Sequence, residues 1–221
     1  MRFELIVFDF DGVIADSERL ACGVAAVLAT ELGAPTTEDE GLELFMGRRA
    51  GDVQALVEAR SGRACPGFIP ELQRRTLAAF SNELQEVTGA TRFVRALAGR
   101  RKCIASSSAQ VRLRAALDRL GLAKDFAGAV FSADEVERGK PYPDLFLYAA
   151  NRMSVAPERC VVIEDSVSGV RAAVEARMAV IGLLAGSHVD EGHAARLEAA
   201  GATAIARRFE DVADWIAERE R

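Results

Sequence analysis

The sequence predicts an α/β fold: a doubly wound, mostly parallel sheet, Rossmann-like in layout, interrupted by an all-helical insert. Three observations carry this expectation. A short branched apolar run, Leu5 to Phe8, opens the chain. From residue 90 onward, similar runs alternate with helical stretches. Between about 17 and 86 the apolar spacing is helical and no convincing strand occurs.

Each element has its own reason. "LIVF" is apolar on both alternating sides, which suits a strand covered on both faces. From Ser17 to Leu32, Leu20, Val24, Val27 and Leu28 share a helical face. Gly33 and Pro35 break that helix, and Thr37 with Glu40 makes a capping box for a second one ending near Met46 and Gly47. A third helix is expected from Gly51 to Arg60, "SGRACPGFIP" reads as a loop, and a fourth helix runs from Glu71 to Gln85. Helix "ATRFVRALAG" then precedes strand "RKCIAS", helix 109–120 precedes "GAVFS", and helix 143–152 precedes "RCVVIE". Helix 167–177 precedes "MAVIGLL", helix 190–200 precedes "ATAIA", and helix 210–219 follows.

Composition narrows the function classes. Of 221 residues 50% are hydrophobic, enough for a substantial core. With 28 basic and 33 acidic residues the formal charge is −5, which leaves no nucleic-acid footprint. No apolar stretch approaches the ~18 residues of a membrane span, and the N-terminus enters a strand too early for a signal peptide. The four cysteines, Cys22, Cys65, Cys103 and Cys160, form no CxxC pair, so reduced structural thiols in a cytoplasmic protein are expected.

In open parallel sheets ligands bind beyond the carboxyl ends of the strands, and four such ends carry polar clusters. The first has Asp9, Asp11 and Gly12; the second Ser106, Ser107 and Ser108; the third leads to Lys140; the fourth ends in Glu164, Asp165, Ser166 and Gly169. Each alone has a plain structural explanation. Serines cap helices, "KPYPD" makes a turn, and acids suit a helix N-terminus. Their joint occurrence favours one shared site.

Asp9 and Asp11 would point the same way along a strand and repel unless a hard cation or a shared proton lies between them. Asp9 is a candidate nucleophile for a phosphorus centre. Asp11 is a candidate acid and base, a role that calls for a raised pKa or a proton held by local geometry. Ser106 and Lys140 suit phosphoryl oxygens, and Glu164 with Asp165 adds charge that would hold Mg²⁺.

"DFDGVIADSE", "IASSS", "GKPYPDLF" and "VVIEDSVSGVRAA" together resemble the four motifs of the haloacid dehalogenase-like superfamily, in its phosphatase and β-phosphoglucomutase-like branch with a helical cap. The resemblance spans nearly the whole chain. It implies a core of residues 1–15 and 88–221 and a cap of residues 16–87. It implies Asp9 as nucleophile and Asp11 as acid and base, with Ser106 and Lys140 on the phosphoryl group and Ser107 and the Gly12 backbone beside them. Mg²⁺ would be held by Asp9, the Asp11 carbonyl and Asp165, with Glu164 assisting. The first strand would lie between the second and the fourth.

The implied enzyme is a Mg²⁺-dependent phosphatase acting through an aspartyl-phosphate on a small phosphorylated metabolite, with a monomer sufficient. A dehalogenase would lack Asp11. A β-phosphoglucomutase-type enzyme would carry a histidine where Ala21 stands. A non-catalytic phospho-acceptor has no use for Asp11 or the insert. His188 and His193 are expected on the surface or in loops, His188 at most bordering the site. The cap loop "FMGRRAGD" offers Arg48 and Arg49 as readers of an anionic substrate, a sugar or sugar-acid phosphate such as phosphogluconate. The plain alternative makes Arg49 a solvated charge and Arg48 an N-terminal helix residue. Arg74 and Arg75 are expected to face away, and the flexible connections to lie near Ala15–Ser17 and Glu86–Gly89.

Overall fold

The computed structural model describes residues 3–46, 48 and 50–221. Six parallel strands form one sheet: β1 (Leu5–Phe8), β2 (Lys102–Ser106), β3 (Val130–Ser132), β4 (Cys160–Glu164), β5 (Ala179–Leu183) and β6 (Ala204–Ala206), in the order β3-β2-β1-β4-β5-β6. The first strand is therefore central. Phe8 pairs with Ile104 on one side and Ile163 on the other, so β1, β2 and β4 finish at nearly the same level.

Both faces of the sheet are covered, as the uninterrupted apolar runs require. Ile6 and Phe8 join an apolar cluster with Phe93 and Val94 of α5 (Ala90–Ala96), Leu113 and Leu117 of α6 (Gln110–Leu120), and Phe209 and Val212 of α10 (Phe209–Glu220). Leu5 and Val7 point to the other face. They meet Leu145 and Phe146 of α7 (Asp144–Arg152), Val170 of α8 (Val167–Glu175) and Leu197 of α9 (His193–Ala199). The period-two alternation of β1 thus divides its side chains between two layers.

Residues after β1 form α1 (Glu18–Glu31), α2 (Glu38–Phe45), α3 (Ala50–Ser61) and α4 (Phe68–Glu83). The Thr37–Glu40 capping box starts α2 as expected, with the Thr37 N–H donating to Glu40 at 2.8 Å. The fourth helix begins three residues before its expected start and includes Pro70. Pro70 falls in the first turn, where its missing N–H costs no intrahelical bond. These helices have their own apolar cluster, with Cys22, Leu28, Phe45, Val57 and Phe68 buried in it. Phe80 and Leu84 belong instead to the sheet's cluster, so the end of α4 is seated on the core. The chain leaves and returns through adjacent segments: Asp16 N–H donates to Gln85 O at 3.0 Å, and Val87 N–H to Ile14 O at 2.9 Å.

Candidate active site

The Asp9 N–H donates to Ile163 O at 2.9 Å, carrying the β1–β4 ladder one residue past the strand and fixing the Asp9 backbone. Lys140 Nζ, on a side chain only 3% exposed, donates to Asp9 Oδ1 at 2.6 Å and to Glu164 Oε1 at 2.7 Å. Glu164 Oε2 accepts the Ser166 N–H at 2.6 Å. Gly169 on α8 leaves room for that carboxylate, since a Cβ there would lie 1.6 Å from Glu164 Oε1. Gly12 serves Asp165 similarly: it has φ +76°, and a Cβ on it would lie 1.8 Å from Asp165 Oδ2.

Among the described residues, Asp9, Glu164 and Asp165 bring ligand atoms within 4.8 Å of one another, all three buried. Burial, with help from neighbouring carboxylates, raises Asp9 and Asp165 well above the ordinary carboxylate range; Lys140 pulls the other way. For Lys140, burial favours the neutral amine, but Asp9 and Glu164 outweigh it and keep the ammonium charged. Three carboxylates against one ammonium leave excess negative charge around an all-oxygen donor set. That set fits a hard divalent cation such as Mg²⁺ and offers no thiolate to a softer metal.

Asp11 sits apart from this cluster. Its Oδ1 accepts from Ser17 Oγ at 2.5 Å and from Arg112 Nη2 at 2.7 Å, and its Oδ2 accepts from Ser108 Oγ at 2.5 Å. Burial would raise its pKa, but the Arg112 charge and the three hydrogen bonds outweigh burial and lower it. Of the two routes open to Asp11 from sequence, a raised pKa is not the one found; its carboxyl is held by local geometry instead. Each of the paired acids also has its own cation, Asp9 in Lys140 and Asp11 in Arg112.

A fifth strand end contributes as well. After β5, His188 places Nε2 2.9 Å from Asp165 Oδ2, and His193 at the start of α9 reaches Asp165 O at 2.5 Å. A carbonyl only accepts, so His193 carries its proton on Nε2 and its Nδ1 accepts from Arg196 at 3.0 Å. Burial lowers the His188 pKa, favouring the neutral ring. Both histidines are buried against Asp165 rather than lying on the surface, because the loop after β5 folds back over the sheet edge. That loop is tied to the start of the helical insert by Ser187 Oγ donating to Asp16 at 2.8 Å and Arg19 Nε donating to Ser187 O at 3.1 Å.

Of the residues expected from sequence, Asp9, Lys140, Glu164 and Asp165 meet directly, with Gly12 against Asp165. Ser106 is buried and accepts the Ser108 N–H at 3.1 Å; Ser107 is exposed. Arg48 is exposed in the turn after α2, where its N–H donates to Phe45 O at 3.1 Å, and it precedes the first residue of α3. Arg49 lies outside the described residues. Arg74 and Arg75 are engaged with Glu71 and Glu31 on the outside of the helical layer.

Sequence reasoning missed Arg112, Ser17 and His193, whereas His188 lies, as allowed for, in a loop bordering the site. Arg112 carried a signal: a cation in the first turn of a helix opposes the helix dipole and calls for a carboxylate partner.

The profile of the haloacid dehalogenase-like hydrolases matches residues 3–177. The chain is 33% identical over 189 residues to Protein SUPPRESSOR OF QUENCHING 1, chloroplastic, of Arabidopsis thaliana, covering 81% of this chain but only 18% of that protein. It is 27% identical over 189 residues to the 6-phosphogluconate phosphatase of Escherichia coli, covering 85% of each. It is also 33% identical over 176 residues to a phosphorylated carbohydrates phosphatase of Thermotoga maritima, covering 78% and 81% of the two chains. A crystal structure of a haloacid dehalogenase-like protein of unknown function from Agrobacterium tumefaciens superposes with TM-score 0.86 at 34% identity, covering 99% and 100%. The chain therefore belongs to the haloacid dehalogenase-like hydrolases, in their phosphatase and β-phosphoglucomutase-like branch, and is an enzyme of the phosphoric monoester hydrolase kind.

Proposed function

We propose that the protein is a Mg²⁺-dependent phosphatase that cleaves a small sugar or sugar-acid phosphate through a phosphoryl group carried on Asp9. The observation that carries this reading is the convergence of Asp9, Glu164 and Asp165 with Lys140 at one sheet edge. The resemblance to a 6-phosphogluconate phosphatase supports a phosphogluconate-like substrate.

In this mechanism an Asp9 carboxylate oxygen attacks phosphorus and the ester P–O bond breaks. Asp11, protonated against the pull of Arg112, gives its proton to the departing alkoxide. Asp11, now ionised, takes a proton from water whose oxygen attacks the phosphoryl group; the Asp9 acyl-phosphate bond breaks and inorganic phosphate leaves. Lys140 and the Ser106 hydroxyl hold phosphoryl oxygens, with Ser107 and the Gly12 N–H alongside. Asp9, Glu164, Asp165 and the Asp11 carbonyl would hold Mg²⁺. When bound, the ion screens the phosphate dianion from the attacking carboxylate.

Residues 16–87 form the cap in this reading, with Arg48 facing the distal part of the substrate and the paired segments around Ala15 and Glu86 as its connections. A closed cap excludes water from the site. Ala21 packs against the apolar cluster, so a mutase has no second proton carrier at that position. Cys22, Cys65, Cys103 and Cys160 are free and buried, with the Cys22 thiol pushed up to about 12 chiefly by burial, which suits a cytoplasmic enzyme. No described helix is long and apolar enough to cross a membrane.

The test is hydrolysis across a panel of phosphorylated metabolites, with Mg²⁺ and then with a chelator. Turnover should need the ion, favour sugar or sugar-acid phosphates, and vanish in Asp9→Asn. Persistent turnover in that variant would refute the nucleophile.

A further inference from the structure

Among the described residues Arg112 is the one cation bonded to Asp11, and it is placed unusually. It sits in the first turn of α6, where the helix dipole disfavours positive charge. Its Nη2 donates to Asp11 Oδ1 at 2.7 Å, while its guanidinium carbon lies 4.6 Å from the centre of the Phe80 ring on α4. Its Nε is buried without a hydrogen-bond partner among the described residues. A guanidinium normally satisfies Nε when buried. Here that donor is given up, and the group is held between a carboxylate of the sheet edge and an aromatic ring of the inserted helices.

Asp11 is correspondingly constrained. Ser17 and Ser108 hold one oxygen each, but a hydroxyl swings about its Cβ–Oγ bond and fixes direction weakly. The planar guanidinium sets the orientation of the carboxylate. Ser17 is the residue directly before α1, so two of the three Asp11 contacts lead into the helical insert: one through Ser17, the other through Arg112 and Phe80.

We propose that Arg112 is a positioning residue for proton transfer by Asp11, itself aligned by stacking on Phe80, so that the seating of the insert on the core sets the orientation of the acid. This rests on the reading of Asp11 as proton donor to the leaving alcohol. Arg112 bonds to Asp11 and not to the cluster of Asp9, Glu164 and Asp165; it acts through Asp11.

The discriminating property is the leaving group. An aryl oxide departs without a proton, whereas an alkoxide needs one. A defect in Asp11 alignment therefore weakens cleavage of alkyl esters more than aryl esters, and a general loss of structure weakens both alike. The experiment measures kcat/KM, which reports the first chemical step, for p-nitrophenyl phosphate and glycerol phosphate with saturating Mg²⁺. The enzymes are wild type, Asp11→Asn, Arg112→Ala, Arg112→Lys and Phe80→Leu.

Asp11→Asn should lower the alkyl-to-aryl ratio by about a hundredfold, the scale of general acid catalysis. Arg112→Ala should lower it by roughly tenfold, a part of that effect. Arg112→Lys should recover part of the ratio, and Phe80→Leu should move it in the same direction by less. If Asp11→Asn lowers the ratio but the Arg112 variants leave it unchanged, the proposal is overturned while the acid reading stands. If Asp11→Asn leaves the ratio unchanged, the acid reading fails and the proposal falls with it. Should Arg112→Ala not fold, Arg112→Lys and Phe80→Leu decide: an unchanged ratio in both overturns the role of Arg112.

Discussion

Charge is used in opposite ways by the sheet edge and by the helical insert. At the sheet edge, Lys140, Asp9 and Glu164 are bonded in a site where their side chains are at most 10% exposed. On the insert, Arg74 is 67% and Glu31 51% exposed, and both belong to a network with Glu71 and Arg75. Burying ions carries a desolvation penalty that pairing seldom repays in stability, whereas solvated pairs are nearly neutral. Stability therefore does not account for the charges at the sheet edge, and chemistry does. The insert's charges form a solvated face.

Three measurements can break or sharpen this contrast. Lys140→Met should have the largest effect. It leaves two buried carboxylates without their ammonium and should destabilise the fold by about 3–5 kcal/mol, seen by denaturant unfolding. Mg²⁺ should restore part of that stability while turnover stays lost. A variant of wild-type stability would show that the Lys140 bonds are dispensable and that the edge resembles the insert after all.

Phe45→Ala, deep in the insert's own cluster, should cost roughly 3 kcal/mol. Hydrogen exchange should show α1 to α3 losing protection while β1, β2 and β4 keep theirs. Simultaneous loss in the strands would mean that the two regions unfold as one.

Glu71→Gln should do least. Hydrogen bonds from Arg74 and Arg75 lower Glu71 to about 2, below the ~4.3 of a free glutamate. Its contribution is thus present above about pH 4 and lost as pH falls toward about 2. Melting of wild type and variant should differ slightly at neutral pH, converge on acidification, and converge also in high salt. A gap that widens on acidification would contradict the sign.

The sheet was legible because its runs are apolar on both faces, and its strand ends because Asp9, Glu164 and Asp165 interrupt such runs with charge. What escaped depends on long-range approach. Ser17 opens the first helix expected from sequence, yet its hydroxyl serves Asp11 and makes no cap bond. His188 follows "AGS", which has the texture of an exposed loop; only the return of that loop over the edge buries it. The α4 start was missed because Pro70 reads as a breaker, although the first turn accepts it.

The two side-by-side crossings of the chain, Asp16 with Gln85 and Ile14 with Val87, have a wider implication. A segment whose two ends are hydrogen-bonded neighbours adds little loop-closure entropy whatever its length. Such an excursion behaves as a cassette: an insert of another length or shape can stand in its place while strand order and the carboxylates at the strand ends stay put. Change in the one region then requires no change in the other.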